Sequence, residues 1–160
     1  MLRLGWIAVL AIIADQISKW LALTYLMGSQ ITLLPILKLV LVYNRGAAFG
    51  FLDQAPGWQN GLFIAIGITV ASIILFMIRR LQPGEIQVAV ALWMVVGGAA
   101  GNLIDRVRIG SVVDFIQVTP YFPVFNVADS AITLGAILLV MDAFGLRVLG
   151  TSRHDRDDKN

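Results

Sequence analysis

The chain has 160 residues, of which 58% are hydrophobic and only 14% charged, whereas roughly a quarter of the residues of soluble domains are charged. Its mean hydropathy of +0.82 is that of a membrane protein. It has no cysteine, and its one histidine, His154, lies in a polar tail. Disulfides, thiolate nucleophiles, cysteine-based zinc sites and the usual histidine base are therefore excluded, which leaves carboxylates as the reactive groups. The net charge of +2 comes from basic residues beside apolar runs, so it indicates orientation in a bilayer rather than nucleic-acid binding.

Four apolar stretches are long enough to span a membrane, which takes roughly 20 helical residues. They cover residues 4–27, 58–78, 86–104 and 127–146. The first is too long, and too polar at Asp15 and Lys19, to be a cleaved secretory signal. The sequence therefore predicts an all-α integral membrane protein with four transmembrane helices. We expect one domain over residues 1–150 and a polar cytoplasmic tail over residues 151–160.

The basic residues predict which ends of the spans face the cytoplasm, because cytoplasmic loops carry the excess of Lys and Arg. Seven fall on one side and four on the other, which places both termini in the cytoplasm and residues 28–57 and 105–126 outside. The seven are Arg3, Arg79, Arg80, Arg147, Arg153, Arg156 and Lys159, and the four are Lys38, Arg45, Arg106 and Arg108.

The first outer segment contains an apolar, β-branched run from Lys38 to Tyr43, which ends at a plausible turn, Asn44 to Gly46. This pattern predicts a small β-sheet, or cradle, on the outer membrane surface. The second outer segment, residues 111–125, mixes aromatic and aliphatic residues with two prolines. It suits the membrane interface better than open water.

Asp15 and Lys19 are four residues apart in the first span, where each charge costs about 2.5–3.5 kcal/mol at the helix centre. They share one helical face with the acid nearer the N-terminus, the better order for an ion pair. One interpretation is a neutralised pair that helps assembly. The other is that Lys19 reaches outward to a substrate lipid or to a catalytic carboxylate.

The third span contains a GxxxG spacing, Gly97 to Gly101, which allows another helix to approach closely. Gly98, Asn102 and Arg106 then follow at intervals of four, with Asp105 beside them at the outer boundary. The acid and the arginine could simply anchor the helix at the interface. Alternatively, Arg106 could brace a nearby carboxylate with its planar guanidinium group.

Two further acids lie on the outer side. Asp114 has two apolar residues on each side, unlike a solvated surface aspartate. Asp129 follows Asn126 by three residues at the start of the fourth span, as in a capping box. Capping alone would account for Asp129 but not for Asp114.

If the outer segment folds back, the carboxylates of Asp114 and Asp129 can share a water molecule and one proton. The ionised acid then takes a proton from water while the protonated acid polarises a peptide carbonyl, without a covalent nucleophile. The N-terminus of the fourth helix favours a negative charge on Asp129, which pushes the shared proton toward Asp114.

In these residues, and in five blocks that follow one another in order, the sequence resembles the lipoprotein signal peptidases (signal peptidase II) of bacterial inner membranes, over nearly its whole length. Any one matching block would be weak, but five in order, with four spans, are highly specific. The blocks are Asp15 to Lys19, Asn44 to Phe49, Gly97 to Arg106, Val112 to Phe115 and Phe125 to Asp129.

The resemblance implies an aspartic endopeptidase that cleaves on the N-terminal side of a diacylglyceryl-modified cysteine in a prolipoprotein. We expect a monomer without metal or cofactor. The resemblance implies that Asp114 and Asp129 are catalytic, that membrane lipid surrounds the enzyme and that globomycin-type cyclic peptides inhibit it. It also implies that Asn44, Gly98, Asn102, Arg106 and Asn126 line or support the site. Other members of the five blocks are expected to support it as well: Asp15, Lys19, Asp105, Phe125 and Ala128.

Three other functions are compatible with parts of the pattern. Intramembrane acids could serve a proton- or ion-coupled transporter, although the main polar cluster lies at one membrane face and no inverted repeat is visible. A structural assembly subunit could use the GxxxG face for packing and the acids as caps. A lipid-headgroup transferase with carboxylate-bound Mg²⁺ would need several closely spaced acids, whereas Asp114 and Asp129 are 15 positions apart.

Overall fold

The computed structural model describes residues 1–46 and 57–149. A short 3-10 turn, Leu2–Gly5, leads into the first of four α-helices, and three β-strands lie between the helices in the chain. Residues 47–49 of the second matching block and the predicted tail lie outside the described residues. The elements in chain order are α1 (Trp6–Tyr25), β1 (Ile31–Leu34), β2 (Leu37–Asn44), α2 (Trp58–Arg80), α3 (Ile86–Ile109), β3 (Val112–Gln117) and α4 (Val127–Ala143).

In the described part of the chain, three helices are long and apolar enough to cross a membrane: Leu2–Tyr25, Trp58–Arg80 and Ile86–Ile109. The fourth, α4, has only 17 residues. The predicted fourth span of residues 127–146 was therefore too long. Helix α4 ends early because Phe144 and Gly145 form a turn, in which Gly145 has a φ of 76° that favours glycine.

Helix α3 continues five residues past the predicted span of 86–104 and ends at Ile109. Asp105 and Arg106 therefore lie in its last turns, rather than in a loop. The prediction was short because it treated charged residues as the end of the helix, whereas Asp105 is buried and paired inside the protein. Gly110, with a φ of 75°, stops the helix and turns the chain toward β3.

The GxxxG face of α3 packs closely against another helix, as predicted, and that helix is α1. A Cβ atom on Gly97 would lie 2.8 Å from the Ala8 Cα atom and from the Ala11 Cβ atom. One on Gly101 would lie 2.6 Å from a carboxylate oxygen of Asp15. Both glycines are therefore needed for the close approach of the two helices.

Two other glycines bring α3 against α4. A Cβ atom on Gly98 would collide with the carbonyl oxygen of Ala128 and would lie 2.7 Å from the Ile132 Cγ1 atom. In the other direction, a Cβ atom on Gly135 would lie 2.7 Å from the carbonyl oxygen of Ala91. Helix α3 is therefore the central helix, held between α1 and α4 along glycine-lined faces.

The three strands form an antiparallel sheet in the order β1-β2-β3. The predicted strand from Lys38 to Tyr43 is confirmed as the middle of β2. Strand β3, which was not predicted, pairs with β2 in a register that sets Val42 opposite Asp114. The pairing brings β2, in the first outer segment, beside β3, in the second.

The N-terminus of α3 holds the segment that follows α4 through one buried amide. The Nε2 atom of Gln87 donates hydrogen bonds to the carbonyl oxygens of Leu138 (3.2 Å) and Leu146 (2.9 Å). Its Oε1 atom accepts hydrogen bonds from the backbone nitrogens of Val148 (2.7 Å) and Leu149 (3.2 Å). Gln87 therefore fixes this end of the helix bundle, far along α3 from the predicted site.

Large apolar side chains cover the outside of the helices. Trp20 in α1 is 62% exposed and Phe76 in α2 is 58% exposed. A soluble protein rarely exposes apolar surface on this scale, so the exterior is one that faces lipid.

Candidate active site

Asp114 lies in the middle of β3, with its side chain buried at 1% exposure. Each of its carboxylate oxygens accepts one hydrogen bond from an asparagine side chain. The Nδ2 atom of Asn44, from the end of β2, lies 2.9 Å from Oδ2, and that of Asn126 lies 2.7 Å from Oδ1. Asn44 can reach Asp114 because the register of β2 and β3 places both near the same end of the sheet.

Asp129 is the third residue of α4 and completes the predicted capping box with Asn126. The Oδ1 atom of Asn126 accepts a hydrogen bond from the backbone nitrogen of Asp129 at 2.9 Å, and the backbone nitrogen of Asn126 donates to Asp129 Oδ2 at 3.2 Å. The other carboxylate oxygen, Oδ1, accepts a hydrogen bond from the Asn102 Nδ2 atom at 2.8 Å. Asp129 is therefore a helix cap whose carboxylate is also held from α3.

The second outer segment folds back on itself, which was the condition for the two acids to meet. Phe125 forms a bridge with Ile116 of β3, and its backbone nitrogen donates to the Ile116 carbonyl oxygen at 3.0 Å. The bridge brings Asn126 against Asp114, so that one residue hydrogen-bonds both acids. Asn126 is fully buried, and its contacts therefore form the structural link between the two carboxylates.

A cavity of about 520 Å³ opens onto this pair. One wall is the turn before α4, and another is the first two turns of α4. The walls are mostly apolar, and both acids stand among the polar groups that face the space. The residues that line it are Asn44, Asp114, Phe122, Pro123, Val124, Phe125, Asp129, Ser130, Thr133 and Leu134.

Burial raises the pKa of Asp114 to about 6, well above its ordinary value of 3.8. The nearby negative charge of Asp129 acts in the same direction. Hydrogen bonds from Asn44 and Asn126 and the positive charge of Lys19 oppose the shift. Asp114 thus keeps its proton to a higher pH than an ordinary aspartate does.

Behind the pair lies a buried ionic cluster on α1 and α3. The ammonium group of Lys19 lies 2.8 Å from Asp15 Oδ2 and 2.8 Å from Asp105 Oδ2. The predicted ion pair of Asp15 and Lys19 is therefore confirmed, with a second acid added to it. Lys19 is 2% exposed, so its ammonium group is directed into this cluster and not outward to lipid. Within residues 1–46 and 57–149 it pairs with Asp15 and Asp105, and not with Asp114 or Asp129.

The two acids of this cluster also hold backbone groups that lie next to the site. Asp15 Oδ1 accepts a hydrogen bond from the backbone nitrogen of Ala128 at 2.9 Å. Asp105 Oδ2 accepts one from the backbone nitrogen of Val113 at 3.1 Å. Ala128 precedes Asp129 and Val113 precedes Asp114, so the cluster fixes the backbone beside each acid of the pair.

These residues match a known family of proteins. The family model for signal peptidase (SPase) II matches residues 7–145 of the chain. The chain belongs to the signal peptidase II family. Proteins named lipoprotein signal peptidase are similar to it along most of their length. One from Pseudomonas paraeruginosa is 46% identical, over 93% of this chain and 92% of that protein, and one from Acinetobacter baumannii is 46% identical, over 88% of this chain and 82% of that protein.

Two solved structures, each described as a bacterial membrane enzyme, have the same fold. One has a TM-score of 0.78 and 30% identity, with 95% of this chain and 96% of that chain covered. The other has a TM-score of 0.80 and 29% identity, with 89% and 93% covered. This member of the signal peptidase II family is therefore a membrane-embedded hydrolase of the protease class, and the transporter, assembly-subunit and transferase interpretations are set aside.

The structure brings most of the predicted site residues of this peptidase together. The side chains of Asn44, Asn102 and Asn126 contact the two acids directly. Asp15, Lys19 and Asp105 lie behind them, and Phe125, Gly98 and Ala128 act through backbone contacts and close packing.

Arg106 behaves differently from the prediction that it braces a carboxylate. Its Nη2 atom donates to the Gly46 carbonyl oxygen at 2.9 Å, and its guanidinium group lies 4.3 Å from the centre of the Phe63 ring. Within residues 1–46 and 57–149, it forms no ion pair with an acid. Arg106 therefore links α3 to α2 and to the residues just after β2, because α3 continues as a helix and turns the side chain that way.

Sequence reasoning missed Gln16 and the wall of the cavity on α4. The Nε2 atom of Gln16 donates to Asp15 at 3.1 Å and to Asp105 at 3.1 Å, which joins the two acids of the cluster. The α4 wall is formed by Ser130, Thr133 and Leu134, whose spacing places them on one helical face. That spacing is a signal, but it becomes informative only once the position of the cavity is known.

Proposed function

We propose that this protein is an aspartic endopeptidase that removes the signal peptide from diacylglyceryl-modified prolipoproteins, cleaving on the N-terminal side of the lipid-bearing cysteine. Asp114 and Asp129 are the catalytic residues. This proposal depends on one observation: Asn126 donates hydrogen bonds to both carboxylates, which lie at the edge of one cavity. The names of the similar proteins support the class of substrate.

The chemistry needs one proton on the pair. Asp114 is the acid that holds it, which its raised pKa of about 6 supports. Asp129 lies at the N-terminus of α4, where a negative charge is favoured. The protonated Asp114 donates a hydrogen bond to the scissile carbonyl oxygen, while the ionised Asp129 orients a water molecule for attack.

Hydrolysis then proceeds in two steps. The water oxygen forms a bond to the carbonyl carbon, Asp129 takes the proton from the water, and Asp114 gives its proton to the carbonyl oxygen. In the second step the carbon–nitrogen bond breaks and the leaving amine takes the proton from Asp129. A hydroxyl proton of the intermediate returns to Asp114 as the new carboxyl group forms, which restores the starting state without a covalent enzyme intermediate.

The cavity suits a peptide that carries lipid. Its walls are largely apolar, and Leu134 in α4, which lines the cavity, is 52% exposed. A substrate anchored in the bilayer can therefore approach from the side of α4 without leaving the lipid. Membrane lipid is the second partner of the enzyme, and globomycin-type cyclic peptides are its expected inhibitors.

The topology that fits this chemistry has four membrane helices, with α4 as a short fourth span. Both termini lie in the cytoplasm of a bacterium, and the pair lies near the outer, periplasmic face of the inner membrane. The distribution of Lys and Arg supports this orientation. The 17 residues of α4 extend about 25 Å, and local thinning of the bilayer accommodates that length. The protein acts as a monomer, with residues 1–150 as one domain.

The test is cleavage of a lipid-modified precursor by the detergent-purified protein and by Asp114→Asn and Asp129→Asn. Both variants should remain folded and lose cleavage by about 1,000-fold or more, since each acid acts as part of a unit. The matched control is Asp142→Asn, because Asp142 also lies on α4 but pairs with Arg147 at the far end, at 2.8 Å.

Three results sharpen the interpretation. The control should cleave at the wild-type rate, the unmodified precursor should not be cleaved, and EDTA should have no effect. Cleavage retained by both single variants would remove the pair from the mechanism. Loss of activity with EDTA would instead require a metal.

A further inference from the structure

The buried ammonium group of Lys19 has all of its hydrogen-bonding capacity in use. It donates to Asp15 Oδ2 and Asp105 Oδ2, each at 2.8 Å, and to Asn102 Oδ1 at 3.0 Å. An ammonium has three donors and no acceptor. Lys19 therefore presents only positive, donating groups to Asn102.

The side-chain amide of Asn102 lies between this donor and a catalytic acid. Its Oδ1 atom also accepts a hydrogen bond from Asn126 Nδ2 at 3.0 Å, and its Nδ2 atom donates to Asp129 Oδ1 at 2.8 Å. If the amide turned over, its NH₂ group would face the ammonium of Lys19 and the NH₂ group of Asn126. Its oxygen would then face the carboxylate of Asp129, so that like groups would meet on both sides.

The neighbouring Asn126 does not need this help. Its Oδ1 atom accepts from the backbone nitrogen of Asp129 at 2.9 Å, which leaves its NH₂ group to face Asp114. A backbone group thus orients one amide of the site. The other amide, that of Asn102, has its oxygen held by the charged Lys19 ammonium group and by the Asn126 amide.

We propose that Lys19 is a positioning residue: it fixes the side-chain amide of Asn102 so that an N–H group, and not a carbonyl oxygen, faces Asp129. This inference rests on the proposed role of Asp129. In the fixed orientation, Asp129 accepts two hydrogen bonds, from Asn102 and from the backbone of Asn126, and its remaining lone pairs are free for water. In the reversed orientation, Asp129 would have to be protonated to meet the amide oxygen and could not act as the base.

The experiment is a double-mutant cycle between Lys19 and Asn102. Lys19→Met alone would leave two buried carboxylates without a cation and could unfold the protein. The cycle is therefore made in an Asp105→Asn background. There, Lys19→Met removes a positive charge from a cluster that has already lost one negative charge, so the net charge of the cluster stays that of the wild type. Lys19→Met and Asn102→Ala are introduced there singly and together, and kcat, KM and the unfolding temperature are measured for each.

If Lys19 acts through Asn102, Lys19→Met lowers kcat by about 10- to 100-fold, the worth of a hydrogen bond to a charged group. KM changes little, because the interaction acts on the base and not on binding. The same substitution then has no further effect on kcat once Asn102 is alanine. Equal losses of kcat in both backgrounds, or an unchanged kcat, would overturn the proposal.

A second variant keeps the proposal falsifiable even if the cycle proteins are unstable. Asn102→Asp keeps an oxygen toward Lys19 but replaces the N–H group that faces Asp129 by another oxygen. It should remain folded and lose kcat by at least about tenfold, and wild-type kcat would refute the inference. Asp129→Asn distinguishes a failure of the proposed function from a failure of the role of Lys19. If Asp129→Asn is active, the proposed function is wrong. If Asp129→Asn is inactive but Asn102→Asp is fully active, only the role of Lys19 is wrong.

Discussion

The contact of Gly98 with α4 gives a sharp prediction for Gly98→Ala. The added Cβ atom would lie 2.7 Å from the Ile132 Cγ1 atom and even closer to the carbonyl oxygen of Ala128, whereas ordinary contacts begin near 3.4 Å. The gap between α3 and α4 must therefore open by at least about 0.7 Å. Because part of the obstacle is backbone, no side-chain rotation can relieve the clash.

The expected cost of this overpacking is about 1–3 kcal/mol, which lowers the unfolding temperature by about 2–10 °C in a chain of this size. The catalytic effect is larger. Ala128 precedes Asp129, and a shift of about 1 Å at a reacting group costs about 100-fold in rate. We therefore expect kcat to fall by about two orders of magnitude.

The assay is thermal unfolding of the purified protein together with initial rates on a lipid-modified precursor. Gly61→Ala is the matched control, since Gly61 also lies in a helix, α2, but a Cβ atom there would meet nothing within 4 Å. The control should match the wild type in rate and be at least as stable, because alanine is the better helix former. If Gly98→Ala behaves like Gly61→Ala, the close packing of α3 on α4 does not position Asp129.

Two further predictions concern stability. Gln87→Met keeps the shape of the side chain but removes the amide that holds four backbone groups. The unfolding temperature should therefore fall by about 5 °C or more, while kcat at 25 °C stays unchanged. An unaltered melting curve would contradict this prediction. Because burial raises the pKa of Asp114 from 3.8 to about 6, the folded protein binds this proton more tightly than the unfolded chain does. The resulting stabilisation is complete below pH 3.8 and is lost as the pH rises through about 6. The side chain of Asp114→Asn is neutral at every pH and has no such dependence. The unfolding temperature of this variant, minus that of the wild type, should therefore increase between about pH 4 and pH 7. A difference that stays constant with pH would show that Asp114 is not buried as described.

Much of the fold was predictable because its signals are local. Three of the four apolar stretches became helices that meet the length and hydropathy of a membrane span. The glycine spacing predicted that another helix would pack closely on α3, and the asparagine three residues before Asp129 predicted the capping box. Each of these patterns depends on neighbours in the sequence.

What could not be predicted depends on contacts between distant segments. Strand β3 is defined by its pairing with β2, about 70 residues earlier in the chain. The end of α3 was missed because the burial of Asp105 beside Lys19 cannot be read from a hydropathy window. The orientation of Arg106 toward Phe63 has the same origin, since α2 supplies the aromatic ring.

The candidate site shows the same division. The residue types left carboxylates as the reactive groups, and the resemblance of the five blocks to a known family indicated the class of substrate. Residue types could not show that one asparagine, Asn126, would hold both acids, because that contact needs the bridge between Phe125 and Ile116 to bring the outer segment back. They also gave no sign that Lys19 would bind three acceptors, when only its pair with Asp15 was predicted.

The central claim is that Asp114 and Asp129 together carry out hydrolysis. Its most direct test is a single-turnover measurement, with the enzyme in excess over a lipid-modified precursor, for Asp114→Asn and Asp129→Asn. Binding and cleavage are followed separately. We expect each variant to bind the precursor with nearly the wild-type Kd and to leave it uncut over many wild-type turnover times. Cleavage by either variant within about tenfold of the wild-type rate would contradict it.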